Sequence, residues 1–196
     1  MSVRVVSFYS PDYVDCAMQL ARSCDEFGID REIDAVPIFP SWADGVSFKP
    51  QFIYQKLQSI PDGSGMLWTD ADSQFRSEPD WSIFNAIDFS ACLFQWSPAH
   101  ALEMLTGTVF FRKSPRVVDF VKRWMLATPT WRKANVDTPE QLSLKETWER
   151  QLKDKHPLRF LDLPKEWVYI QPDFQDLYPK MVPRIEHLQA SRRLKR

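Results

Sequence analysis

The chain has no surplus of either charge sign: 25 Lys and Arg stand against 26 Asp and Glu, for a formal charge of −1. That balance supplies no whole-protein attraction to nucleic acid or to an anionic membrane. No apolar run approaches the roughly 20 residues that a membrane-spanning helix needs. The N-terminus, Met1-Ser2-Val3-Arg4, lacks the pattern of a secretory leader. Cysteine is scarce, and Cys16, Cys24 and Cys92 form neither a CxxC pair nor a metal-ligand spacing. They read as reduced, mostly buried small hydrophobes. Together these absences predict a cytoplasmic protein with no membrane span. Internal repeats, low-complexity tracts and a domain linker are also missing. The 196 residues therefore fit one domain with a sizeable core.

What is present is ordinary in bulk and uneven in detail. Hydrophobic residues make up 44% and charged residues 26%, which argues for a folded globular chain and against disorder. The 8 Trp and 14 Phe are many for this length. Most belong in a core, and some are available to line a groove. Basic charge gathers in Ser191-Arg192-Arg193-Leu194-Lys195-Arg196, which by itself reads as a solvated terminus.

The β-branched run at residues 3–9 predicts a buried strand. Ser10 and Pro11 then form a helix-start signal, and Gly28 a stop. A second strand is predicted over 33–38, a loop over 40–47, and a helix opening at Lys49-Pro50. Pro61-Asp62-Gly63-Ser64-Gly65 is a break. A short central strand, 66–69, runs straight into Asp70-Ala71-Asp72. Further strands are expected at 89–95, 106–112, 158–163, 167–170 and 185–188. Helices are expected after Ser114-Pro115 and after Thr138-Pro139-Glu140-Gln141, the latter in capping-box form. Alternating strands and helices predict one α/β domain with a mostly parallel sheet flanked by helices.

In open α/β sheets, ligands bind at the carboxyl ends of strands, and Asp70 and Asp72 sit at such an end. On an extended segment, residues two apart point to the same side. Two carboxylates so placed repel one another unless a cation lies between them. Hard oxygen ligands suit Mg²⁺ or Mn²⁺. Such an ion can bridge nucleotide phosphates and stabilise a departing diphosphate. A DxD alone is weak evidence, because many are turn residues. Here it follows an apolar strand and two strand-helix units.

The arrangement resembles the GT-A type glycosyltransferases, in words a Rossmann-like nucleotide-binding half ending in a DxD that holds metal and donor diphosphate. Trp68-Thr69-Asp70-Ala71-Asp72 is similar to the family's strand and motif. Leu105-Thr106-Gly107-Thr108-Val109-Phe110-Phe111 is similar to its later Gly-containing strand, Glu140-Gln141 to its acidic residue over the reaction centre, and His187-Leu188-Gln189-Ala190-Ser191-Arg192-Arg193 to its C-terminal His and basic tail. The resemblance implies a single domain in which residues 1–72 bind nucleotide, 73–183 handle sugar and acceptor, and 184–196 form a metal- and diphosphate-binding tail. It implies Asp70, Asp72 and His187 as ligands of Mn²⁺ or Mg²⁺. It also implies Tyr9, Ser10, Lys49, Ala71, Gly107, Gln141, Arg192 and Arg193 as donor contacts, with a UDP-sugar as the expected donor.

Glu140 is then the catalytic acidic residue, with Asp137 as its nearby substitute. Each residue keeps a plainer reading. Acids favour the first turn of helices, a Ser before a helix is a cap, Lys49 can be a solvated lysine, and a lone His can be a packing residue. Gly107 can give a sugar close backbone access or mark a bulge.

Two rival functions stand beside this one. A haloacid-dehalogenase-like phosphatase would use Asp70 and Asp72 as nucleophile and acid, but that family carries its DxD on the first strand. A non-catalytic module would bind the nucleotide-sugar without transfer. The acceptor is open between a saccharide and, in a viral setting, a modified DNA base. No extended Lys/Arg stripe demands nucleic acid.

Overall fold

The computed structural model describes residues 1–134 and 136–190. Its main sheet has six strands in the order β2-β1-β3-β6-β5-β7: β1 (Val3–Tyr9), β2 (Arg31–Ala35), β3 (Gly65–Thr69), β5 (Phe89–Phe94), β6 (Glu103–Arg112) and β7 (Phe160–Asp162). Only β6 runs against the others. The expected mostly parallel α/β sheet is therefore what the chain builds. A second sheet of three short strands, in the order β4-β9-β8, joins β4 (Ser73–Phe75), β8 (Tyr169–Ile170) and β9 (Ile185–His187).

Strand parity sorts the core into two faces. Val6, Met66, Trp68, Val109 and Phe111 point to one side, where α2 (Trp42–Ser59), α3 (Pro115–Lys133) and α4 (Pro139–Gln151) pack with Phe52, Val117, Phe120 and Leu144. Val5, Leu67 and Phe110 point to the other, over α1 (Val14–Glu26), the small sheet and α5 (Asp173–Leu177). Along β6 the parity changes: Met104 lies on the first face and Leu105 on the second, yet Val109 returns to the first. The cause is a bulge. Ala91 pairs with Val109 and the next residue, Cys92, with Leu105, so residues 106–108 are extra in the ladder.

Three sequence expectations need correction. Residues 42–47 are helix rather than loop, and Lys49-Pro50 does not open α2. Ser41 caps it, its side chain accepting from the Asp44 amide, and Pro50 sits inside the helix. Proline there costs one backbone hydrogen bond, which Arg132 helps offset by tying the first turn to α3 through Asp44, at 3.0 Å. The strand expected at 33–38 starts and ends earlier, at Arg31–Ala35. The capping box of Thr138 and Gln141 does not form. Thr138 makes no side-chain cap bond, and Gln141 Nε2 donates instead to Glu103, at 3.0 Å.

Candidate functional site

Asp70 and Asp72 lie on a tight turn rather than on an extended segment. The Ser73 amide donates back to the Asp70 carbonyl at 3.1 Å. The turn carries the chain from β3 in the large sheet to β4 in the small one. β4 pairs antiparallel with β9, with Ser73 opposite His187. The Leu188 amide donates to the Asp72 carbonyl at 2.9 Å and the Ala190 amide to Asp72 Oδ2 at 2.8 Å. This pairing brings His187 to the motif, and one ligand atom each from Asp70, Asp72 and His187 lie within 4.8 Å of one another.

The electrostatics of the three groups suit a cation. Burial, and next the Asp70 charge, push the Asp72 carboxyl up to about 6. Burial pulls the His187 imidazole down to about 4, so the ring is neutral near pH 7 and has a lone pair to give. The Nε2 atom of His187 shares a 2.9 Å hydrogen bond with the Thr108 hydroxyl. Thr108 and Ser73 hydroxyls both approach that of Thr69, at 3.4 and 2.8 Å. A hydrogen-bonded ring of this kind has its orientation fixed, as metal-ligating histidines usually do. Two carboxylates and a neutral imidazole fit Mn²⁺ or Mg²⁺, with the nitrogen favouring Mn²⁺.

Gly107 earns its place for a reason the sequence did not show. A Cβ built there would lie 3.0 Å from His187 Cε1, a tight contact that the ring could relieve only by shifting a few tenths of an ångström. The bulge of β6 thus lays bare backbone against the imidazole, and the Gly107 carbonyl accepts from the Asp70 amide at 2.9 Å.

Beside the triad sits a buried ionic cluster. Lys49, expected as a solvated lysine or a phosphate contact, is buried, with Nζ 2.9 Å from Asp70 Oδ1 and 3.6 Å from Glu140 Oε1. Its amine also donates to the Thr106 carbonyl at 3.2 Å. Burial acts to lower the Lys49 pKa, but the Asp70 and Glu140 charges outweigh it and the ammonium is held charged. Glu140 is 3% exposed. Its Oε1 accepts from the Thr106 hydroxyl at 3.0 Å, while Oε2 has no hydrogen-bond partner among the described residues. Burial raises its pKa, opposed by Lys49.

Asp70, Asp72, His187, Lys49, Thr106 and Glu140 line one cleft of about 600 Å³, as do Tyr9, Ser10, Ala71, Gly107 and Gln141. Ser10 holds the cap position before residues 11–13 without a side-chain cap bond. Asp137 is exposed and is not among the described residues lining the cleft. Arg192 and Arg193 lie outside the described residues. Sequence reasoning missed Tyr13, whose hydroxyl pKa is pushed up to about 12 by burial and then by Asp72 and Asp70. It also missed Trp96 and Glu103 on the cleft wall. Thr106 and Thr108 carried a usable signal: polar residues two apart inside an otherwise apolar strand.

The fold is an α/β sheet whose acidic turn lies at the carboxyl end of a central parallel strand, where ligands bind in open sheets of this kind. Among solved structures the chain is similar to that of a glycosyltransferase involved in the glycosylation of the major capsid of PBCV-1, with a TM-score of 0.71 and 13% identity, covering 100% of this chain and 96% of that one. The two share the fold. The sequence matches no family model, and no curated protein matches it.

Proposed function

We propose that the chain is a metal-dependent glycosyltransferase of the GT-A type, moving a sugar from a nucleotide-diphosphate sugar, UDP-linked in the first instance, to a hydroxyl acceptor. The observation that carries this reading is the convergence of Asp70, Asp72 and His187 within 4.8 Å in a cleft whose fold a glycosyltransferase shares. Those three residues would hold Mn²⁺ or Mg²⁺. The bound ion supplies positive charge to the departing diphosphate. Ala71 and Gly107 present backbone and little side chain to the donor, Tyr9 and Ser10 flank the nucleoside end at the close of β1, and Lys49 adds a fixed positive charge to the same wall. Arg192 and Arg193 are assigned to the diphosphate, which guanidinium groups match in geometry.

Glu140, rather than the exposed Asp137, takes the acceptor's proton. Its Oε2 has no hydrogen-bond partner among the described residues, and burial raises its pKa against the opposing pull of Lys49, which makes it a stronger proton acceptor than an exposed carboxylate. Gln141 positions the acceptor side. The chain then divides as donor part (1–72), sugar and acceptor part (73–183) and closing tail (184–196) of one domain.

The test is a thermal-shift screen of nucleoside diphosphates with and without Mn²⁺, followed by assay of UDP release from UDP-sugars. A ligand at about 100 times its Kd stabilises by about 2.7 kcal/mol, a rise of about 5–10 °C for a chain of this size. Asp72→Ala or His187→Ala should abolish the Mn²⁺ dependence and leave the far-UV spectrum unchanged. If no nucleoside diphosphate stabilises the chain under either condition, the reading is wrong. Phosphate release from simple phosphoesters would point instead to the phosphatase, and donor binding without turnover to a binding module.

A further inference from the structure

On the reading just given, we infer that the acceptor is a neutral, hydroxyl-rich saccharide, seated on Trp96 and Glu103, and not a nucleic acid. The wall opposite the nucleoside end of the cleft is built from β6, α4 and the loop after β5. Trp96 makes T-shaped contacts with Phe94 and Phe174, with ring centroids 4.7 and 6.1 Å away, and is half-buried where it lines the cleft. Its Nε1 donates to Glu103 Oε2 at 3.1 Å, and Gln141 Nε2 donates to the same oxygen at 3.0 Å. Glu103 Oε1 takes no hydrogen bond among the described residues. An aromatic face edged by a fixed carboxylate acceptor and an amide offers what a sugar ring needs: apolar contact for its C–H face and hydrogen-bond partners for its hydroxyls.

The same two elements carry the proton acceptor. Glu103 meets Gln141, and three residues further along β6 Thr106 meets Glu140. A saccharide hydroxyl resting on Glu103 and Gln141 would lie in the same cleft as Glu140, against the same strand and helix. In the transfer, the acceptor oxygen forms a bond to the anomeric carbon as the bond from that carbon to the diphosphate oxygen breaks. The electron pair leaves with the diphosphate, and the hydroxyl proton passes to Glu140.

Charge decides against the polyanion. Among the described residues, the charged side chains lining the cleft are Asp12, Asp70, Asp72, Glu103 and Glu140 against Lys49 alone, and Lys49 is already engaged by two of them. With Arg192 and Arg193 added as assigned above, three basic groups face five acidic ones, and a divalent ion and a donor diphosphate roughly cancel each other, so the loaded cleft holds no positive excess for a polyanion. Nucleic-acid recognition needs the opposite sign.

The test uses the full chain with Mn²⁺ and the donor identified by UDP release. Acceptor-stimulated UDP release and product mass are compared for a panel of neutral p-nitrophenyl glycosides, the same glycosides carrying a carboxylate, and an oligonucleotide containing 5-hydroxymethylcytosine. Neutral glycosides should be used, with carboxylated ones poorer and the oligonucleotide inert. Trp96→Ala and Glu103→Gln should each raise the acceptor KM about tenfold or more, while the Kd for UDP, read by thermal shift, moves less than twofold. Equal or better use of the oligonucleotide, or an unchanged acceptor KM in both variants, overturns the assignment. Failure of every donor to release UDP would instead sink the glycosyltransferase reading itself, so the two failures are distinct.

Discussion

At Asp72 and His187, burial does opposite things to the two kinds of group. The carboxyl is pushed up to about 6 and the imidazole down to about 4. A carboxyl raised from its usual value near 3.8 costs no stability below that pH and progressively more as pH rises through 6. An imidazole lowered from 6.5 costs nothing above that pH and progressively more as pH falls toward 4. The two dependences oppose each other over the same window, each amounting to about 3 kcal/mol from end to end. Single substitutions should unmask them. In urea titrations with EDTA present, Asp72→Asn should gain stability relative to the wild type as pH rises from 4 to 6. His187→Asn should gain relative to the wild type as pH falls from 6.5 to 4. Parallel pH profiles for all three proteins would refute the pairing. Lys49 shows the same principle with the compensation built in: its charge survives burial because Asp70 and Glu140 meet it.

The bulge in β6 is the element on which the site turns, because it sets Gly107 against the His187 ring and Thr106 against Glu140. Gly107→Ala must push the imidazole aside by a few tenths of an ångström or more. The expected result is a loss of Mn²⁺ affinity of about tenfold, the scale of a disturbed ligand shell, with a smaller loss of thermal stability. Unaltered Mn²⁺ affinity measured by calorimetry would show that the ring position is not critical. The sequence announces the bulge only as a glycine in a strand. Strands β1, β3 and β6 were legible because their apolar runs are buried on both faces. The start of α2 was not, since Pro40, Gly45 and Pro50 read locally as breakers, while the deciding contacts, Ser41 with Asp44 and Asp44 with Arg132, include one that is tertiary. Asp70 and Asp72 could be found from spacing. The burial of Lys49 could not, because it depends on Glu140 arriving from α4.

At the scale of the molecule, the site sits where two sheets meet. The large sheet ends at Asp70, and the small one begins just after Asp72 and closes through β9. Nothing local in the sequence ties residue 72 to residue 187. The reason they meet is a three-residue ladder and the amides of Leu188 and Ala190.

That short ladder has a kinetic consequence. The Ala190 amide and the Asp72 carboxylate are 118 residues apart in the chain, and β9 is only three residues long. β9 is buried between β4 and β8, but its ladders are only three and two residues long, so the small sheet is expected to open before the six-stranded one. His187 belongs to β9, so on the proposed metal site loading of an ion would be coupled to opening of the small sheet. Hydrogen exchange should show the amides of Leu188 and Ala190 exchanging faster than those of β3 in EDTA, and slowing selectively when Mn²⁺ and UDP are added. Uniform slowing across the large sheet would mean that β9 does not open on its own. Selective slowing would make the strand a latch, its closed time set by the occupant it helps to hold.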